Sequence, residues 1–270
     1  MSTKTPATRV LVTNDDGIDG EGLRVLTATL VAHGYEPIVI APDSDYSGAG
    51  TSIISRAASS FSGTSREIAY QQRTLAEAPG VEAYAVAAPP AMCALLAMRG
   101  AFGEPADMVA SGINWGLNTG GAVRHSGTVS AAVTAAAFGV PAVAVSAEHK
   151  FDDLDAPLRF DTAAEVAVQL MKLLPTSGHQ VLNINVPRCG LSELAGIAAA
   201  SVSQISRYRS YVEEKTDNVL KMGFMMTDDQ VEPESDTGMV MAGFAAVSSL
   251  VGTTSIDCSD LIRRVAEETA

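Results

Sequence analysis

Through the first two thirds of the chain, short apolar runs alternate with segments of helical periodicity, an order that few architectures accept: parallel strands joined by crossover helices. Residues 9–13 read as the first strand. The next segment carries Leu23, Leu26, Leu30 and Val31 at helical spacing and stops at Gly34, where a left-handed cap is expected. Strands follow at 37–41, 81–87, 107–110, 141–146 and 181–186, with helices at 91–99, 128–138 and 161–174. Between 44 and 80 the pattern gives way to a Ser-, Gly- and Thr-rich excursion, read as a long loop with room for a hairpin. A second polar, glycine-rich loop is expected at 111–127.

The last third behaves differently. Residues 201–226 are polar with scattered aromatics and methionines, which suits an extended hairpin or a partner-contacting arm. An acidic turn at 228–236, a final strand at 239–250 and a short amphipathic C-terminal helix complete the reading. The expected organisation is an α/β core over 1–200 and a C-terminal arm, strand and helix over 201–270.

The chain's 270 residues suffice for one large core, and a net charge of −13 disfavours any sequence-independent attraction to a nucleic-acid polymer or an anionic membrane. Cys93, Cys189 and Cys258 are odd in number and far apart, so they read as thiols of a reducing compartment. No apolar signal core occupies the first residues and no apolar run reaches spanning length, so the expected location is cytoplasmic.

Chemistry concentrates at three strand exits. The first strand runs into Asn14-Asp15-Asp16-Gly17, two adjacent carboxylates that repel each other unless solvent or a divalent cation offsets their charge. A solvated turn is the plain alternative. The second strand delivers Asp43, Ser44, Asp45, Ser47 and Gly48; the strand ending at Ala110 delivers Ser111, Gly112, Asn114 and Asn118. If these strands are neighbours, their loops share one cleft, and an oxygen-only ligand set selects magnesium, manganese or calcium over zinc or copper. Ser126-Gly127-Thr128 opens a helix, where free N–H groups favour a phosphate, although Ser126 serves equally as an N-cap. Asn114 and Asn118 have the alternative of stabilising their own loop.

Five segments together resemble one known family: Val12 to Gly17; Ala41-Pro42-Asp43 with Tyr46-Ser47-Gly48; Ser111-Gly112-Ile113-Asn114 with Gly116 and Asn118; Ser126-Gly127-Thr128-Val129; and Asn183-Ile184-Asn185-Val186-Pro187. In order and spacing they look like the SurE (survival protein E) family of metal-dependent nucleotidases. The resemblance implies one divalent cation per subunit, Mg2+ or Mn2+ with Ca2+ as an alternative, on Asp15, Asp16, Ser47 and Asn114. It also implies a Rossmann-like, mostly parallel sheet with helices on both faces, and a C-terminal arm exchanged within dimers or tetramers. The implied activity is hydrolysis of nucleoside 5'- and 3'-monophosphates and short polyphosphate.

The chain departs from the family pattern at His125 and Ser130, where tyrosine and glycine are usual, at Ala88 to Cys93 and at Ala246 to Leu250. None removes an expected ligand. They bear on the pocket floor, so a specialised biosynthetic phosphatase and a catalytically silent nucleotide-binding protein stand as alternatives.

The expected chemistry is in-line attack of water on phosphorus, with Asp15 or Asp16 taking the water's proton. Asn14, Gly48, Asn118, Ser126, Gly127 and Thr128 are expected around the phosphate, and His125 is either the acid for the leaving alkoxide or a structural residue. Arg56, Arg66, Arg73, Arg124, Arg207 and Arg209 face substrate or solvent; Tyr208 and Tyr211 stack on a base or bury against a subunit. Asp43-Ser44-Asp45 resembles the aspartyl-phosphate motif of haloacid-dehalogenase-type enzymes, but that motif closes a first strand and leaves Asp15 and Asp16 unexplained. Gly17, Gly20 and Gly22 run opposite to the dinucleotide fingerprint, and paired aspartates repel a pyrophosphate.

Overall fold

A computed structural model describes residues 8–54, 67–149, 159–175, 177–205, 208–226 and 230–252. Its first strand, β1 (Arg9–Thr13), leads to α1 (Glu21–Ala32) and β2 (Glu36–Pro42). In α1, Leu23, Leu26 and Leu30 are fully buried, and the helix closes at Gly34 in the left-handed conformation. Val31, expected on the same stripe, is exposed, because one step past Leu30 turns a side chain by a quarter of the helix circumference.

The excursion returns as an edge strand, β3 (Tyr70–Arg73), antiparallel to β4 (Ala83–Val86). Residues 55–66 of that excursion lie outside the described residues. Then come α2 (Pro90–Met98), β5 (Met108–Trp115), α3 (Gly127–Ala136), β6 (Ala142–Ala147), α4 (Phe160–Met171) and β7 (Val181–Val186). β5 overturns an expectation: Ser111 to Asn114 belong to the strand, and the loop begins only after Trp115, itself containing a 3-10 turn at Gly120–Arg124. Serine and glycine signal a loop only where backbone groups lack partners, and here β6 supplies them, with a register shift between Ser111 and Asn114.

The chain ends its described course with β8 (Gly196–Ala199), an antiparallel hairpin of β9 (Tyr208–Lys215) and β10 (Leu220–Met226), helix α5 (Asp236–Met241) and β11 (Phe244–Leu250). Met239 to Met241, expected in the last strand, instead finish α5, whose N-cap Ser235 accepts the Gly238 N–H. The expected C-terminal helix falls outside the described residues.

Nine strands form one sheet in the order β3-β4-β2-β1-β5-β6-β7-β11-β8. Pairing is parallel from β4 to β7, and β11 inserts antiparallel to β7. Helices cover both faces: α1 and α4 pack with Val10, Val12 and Val39, whereas α2 and α3 pack with Leu11, Ile38 and Ile40. The alternation along β1 and β2 is thus the period-two rule of a strand buried on both sides. From β1 the chain first builds outward through β2, then crosses back to β5. That reversal opens a crevice at the carboxyl ends of β1 and β5, where ligands of such sheets bind.

Candidate active site

β2, β1 and β5 are consecutive in the sheet, so the three oxygen-rich exits do converge. Backbone bonds lock them together: the Tyr46 N–H donates to the Asp15 carbonyl at 2.8 Å, and the Ile18 N–H to that of Pro42 at 2.8 Å. The Gly50 N–H reaches the His125 carbonyl at 3.1 Å, fixing the second loop against the approach to α3.

Asp15 is 3% exposed and sits under the first turn of α3. Its Oδ1 accepts the Thr128 hydroxyl at 2.5 Å and its Oδ2 the Gly127 N–H at 3.0 Å. A Cβ on residue 127 would stand 2.7 Å from that of Asp15, so only glycine allows the approach. The anion at this helix N-terminus is therefore the Asp15 carboxylate. Gly127 and Thr128, expected to face a phosphate, hold this side chain instead, and Ser126 is an N-cap whose Oγ accepts the Val129 N–H at 3.0 Å. Burial raises the Asp15 pKa from its ordinary value, opposed by these same hydrogen bonds.

Asp16 is half-buried, and its pKa is pushed up to about 7, first by burial and then by the neighbouring charge of Asp15, with Asp45 adding to it. The nearby Trp115 backbone pulls the other way. Ser47 lies on the exposed second loop; its N–H donates to Asp45 Oδ1 at 2.7 Å, and Gly48 beside it turns with φ +78°. Asn114 commits its amide nitrogen to the Gly116 carbonyl at 2.7 Å, which turns its oxygen away from that bond. Asn14 is buried; its Nδ2 donates to Gly17 at 2.9 Å while its Oδ1 has no hydrogen-bond partner.

Asn118 is anchored from two neighbouring strands. Its Nδ2 donates to Ser146 Oγ at 2.9 Å, its N–H to Asn185 Oδ1 at 2.8 Å, and its carbonyl accepts from Asn183 and Asn185. Sequence reasoning gave Asn183 and Asn185 no role. Their function is to fix the Asn118 loop, and their place on a buried strand was the available signal. Asp236, also unforeseen, is fully buried and accepts the N–H groups of Gly120, Ser203 and Thr237, tying this loop to the segment that enters the hairpin. His125 is exposed at the end of the 3-10 turn.

Two further side chains went unnoticed. Trp115, next to Asn114, is 51% exposed, and its ring lies 4.3 Å from that of the buried His149 beyond β6. Of the arginines, Arg73 pairs with Asp19 at 2.7 Å, whereas Arg56, Arg66 and Arg207 lie outside the described residues. Asp43, the nucleophile of the aspartyl-phosphate alternative, is exposed at the end of β2 and accepts the Ser44 hydroxyl.

A divalent cation suits this donor set. Asp15 and Asp16 bring carboxylates and the neighbouring loops bring the neutral oxygens of Ser47 and Asn114, the donor chemistry of a hard ion. The unpartnered Asn14 Oδ1 and the elevated Asp16 pKa are both costs that a nearby cation removes.

The family profile described as Survival protein SurE matches residues 10–209. The protein named 5'-nucleotidase SurE from Aeromonas hydrophila subsp. hydrophila is 37% identical over 209 residues, covering 76% of this chain and 75% of its own. The protein of the same name from Stenotrophomonas maltophilia is 32% identical over 248 residues, covering 90% and 89%. Among solved structures, the SurE protein from Aquifex aeolicus superposes with a TM-score of 0.70 at 25% identity, covering 97% of this chain and 100% of that one. A profile spanning most of the sequence, relatives matching most of its length and a shared fold establish that the chain belongs to the SurE family.

Proposed function

We propose that this chain is a 5'-nucleotidase: a divalent-metal-dependent phosphomonoesterase that hydrolyses nucleoside 5'- and 3'-monophosphates, with short polyphosphate as a further substrate. The observation that carries the reading is the pair Asp15 and Asp16 at the switch point of the sheet, one carboxylate locked by α3 and the other half-buried beside it. The names of the curated relatives support the same activity.

Asp15, Asp16, Ser47 and Asn114 would hold the cation, Mg2+ or Mn2+, with Ca2+ as an alternative. When bound, it supplies charge neutralisation at phosphate oxygens and makes a nearby water more acidic. Asp15 or Asp16 takes the water's proton in this reading. The water oxygen bonds to phosphorus, the ester P–O bond breaks in line, and the departing alkoxide takes a proton from His125 or solvent. Gly127 and Thr128 keep Asp15 aimed, while Gly48 and Asn118 face the phosphate in this reading, with Ser126 fixing the helix start beside it; Asn14, expected there too, is buried with its donor nitrogen committed to Gly17.

The hairpin supports an oligomer. Val212, Val219, Leu220, Phe224, Met225 and Met226 are all exposed on a two-stranded element that has little stability alone, so we place it against another copy in a homodimer or homotetramer. Free thiols at Cys93 and Cys189 favour a cytoplasmic setting. No helix among the described residues is long and apolar enough to cross a membrane.

The test is phosphate release from a panel of nucleoside monophosphates and polyphosphate, with Mn2+ or with chelator. Asp16→Asn should abolish release while the protein stays folded. Full turnover in chelator, or in that variant, contradicts the reading.

A further inference from the structure

We infer that Trp115 is the stacking platform for the nucleobase of this site's substrate. The inference rests on the nucleotidase reading for the identity of the phosphate site.

The position comes from the backbone. β5 runs through Asn114 to Trp115, its last residue, so the indole springs from the peptide that follows a residue of the cleft, with its backbone near enough to Asp16 to lower that carboxyl's pKa. Trp115 pairs with Ala147 on β6, two residues before His149. There the buried His149 ring lies 4.3 Å away, tilted by 39°, and supports the indole from the protein side.

The exposure then requires a reason. A tryptophan buried on one side and 51% open presents a large apolar, polarisable surface to water beside a charged cleft. Trp115 is the chain's single tryptophan, and among the described residues its ring contact is with His149. Burial and Arg188 push the His149 pKa below that of an ordinary imidazole, so the supporting ring is neutral near pH 7. The platform is then a pair of uncharged aromatic rings held in place before binding, which suits a neutral nucleobase rather than a second phosphate. Stacking of this kind tolerates every base and favours the larger purine.

The chain's only indole makes the test direct. Adenosine, which carries the base but no phosphate, should quench the intrinsic tryptophan fluorescence of the Mn2+-loaded protein, and ribose 5-phosphate should not. In steady-state assays with Mn2+, Trp115→Ala should lower the ratio of kcat/KM for AMP to that for ribose 5-phosphate by about tenfold, and Trp115→Phe should restore most of it. Fluorescence unmoved by adenosine, or an equal fall for both substrates in Trp115→Ala, overturns the stacking role while leaving phosphomonoesterase activity standing. If the wild type releases no phosphate from either substrate, the nucleotidase reading fails, and the adenosine titration alone decides whether Trp115 stacks.

Discussion

Asp15 and Asp16 are adjacent in sequence yet held differently, one enclosed by hydrogen-bond donors and the other half-buried. This makes stability depend on pH in a defined direction. The folded-state pKa of Asp16 is raised from 3.8 to about 7, so the native state holds this proton more tightly than the unfolded chain does. The contribution is fully present below the ordinary carboxylate range and is lost as pH rises through about 7, with Asp15 acting in the same direction. We predict that in chelator the melting temperature falls between pH 5 and pH 8, that Mn2+ reverses the fall, and that Asp16→Asn flattens the profile. Calorimetry across that range checks it; a flat wild-type profile contradicts it. Thr128→Ala, which takes the hydroxyl from Asp15, should cost about 1–3 kcal/mol in urea unfolding, with Thr128→Ser close to wild type. The aspartates were legible because a strand that ends in two carboxylates is unusual in itself. Trp115 and His149 were not, since only the pairing of β5 with β6 brings them together.

At the scale of elements, the start of α3 shows where sequence reasoning stops. Ser126-Gly127-Thr128 announces an anion site, and an anion is there, but it is a carboxylate 112 positions earlier in the chain. Local pattern gives the electrostatics of a helix N-terminus; the identity of its partner depends on the sheet order. The same holds for β5, read as ending at Ala110 because serine and glycine resemble a loop until β6 is known to pair with them. Asp236 is the least legible, an acidic residue in an acidic stretch that proves to be buried between the Asn118 loop and the root of the hairpin. Asp236→Ala leaves the Gly120, Ser203 and Thr237 N–H groups without their acceptor, and should lower stability by about 3 kcal/mol or more. Denaturant unfolding measures the loss. Asp236→Asn, which keeps one acceptor oxygen, should lose less.

For the whole molecule, the alternation of strand and helix patterns was enough to foresee the parallel sheet; its two helical faces came from the family resemblance, and the shared crevice needed the strand order that makes β2, β1 and β5 neighbours. It did not foresee the antiparallel insertion of β11 between β7 and β8, because strand order at a sheet edge leaves no mark on a strand's own residues. The exposed hairpin is where the single chain looks unfinished. Phe224→Asp combined with Val212→Asp should reduce the sedimenting mass of the protein toward that of one chain, and an unchanged mass would remove the hairpin from any assembly contact. The claim on which the rest depends is that the carboxyl edge of β1, β2 and β5 encloses one hard cation. Anomalous diffraction from crystals grown with Mn2+ tests it most directly. The account predicts a single strong peak within coordination distance of oxygens from Asp15, Asp16, Ser47 and Asn114, absent from Asp16→Asn crystals; no peak there in the wild type, or one elsewhere on the chain, would contradict it.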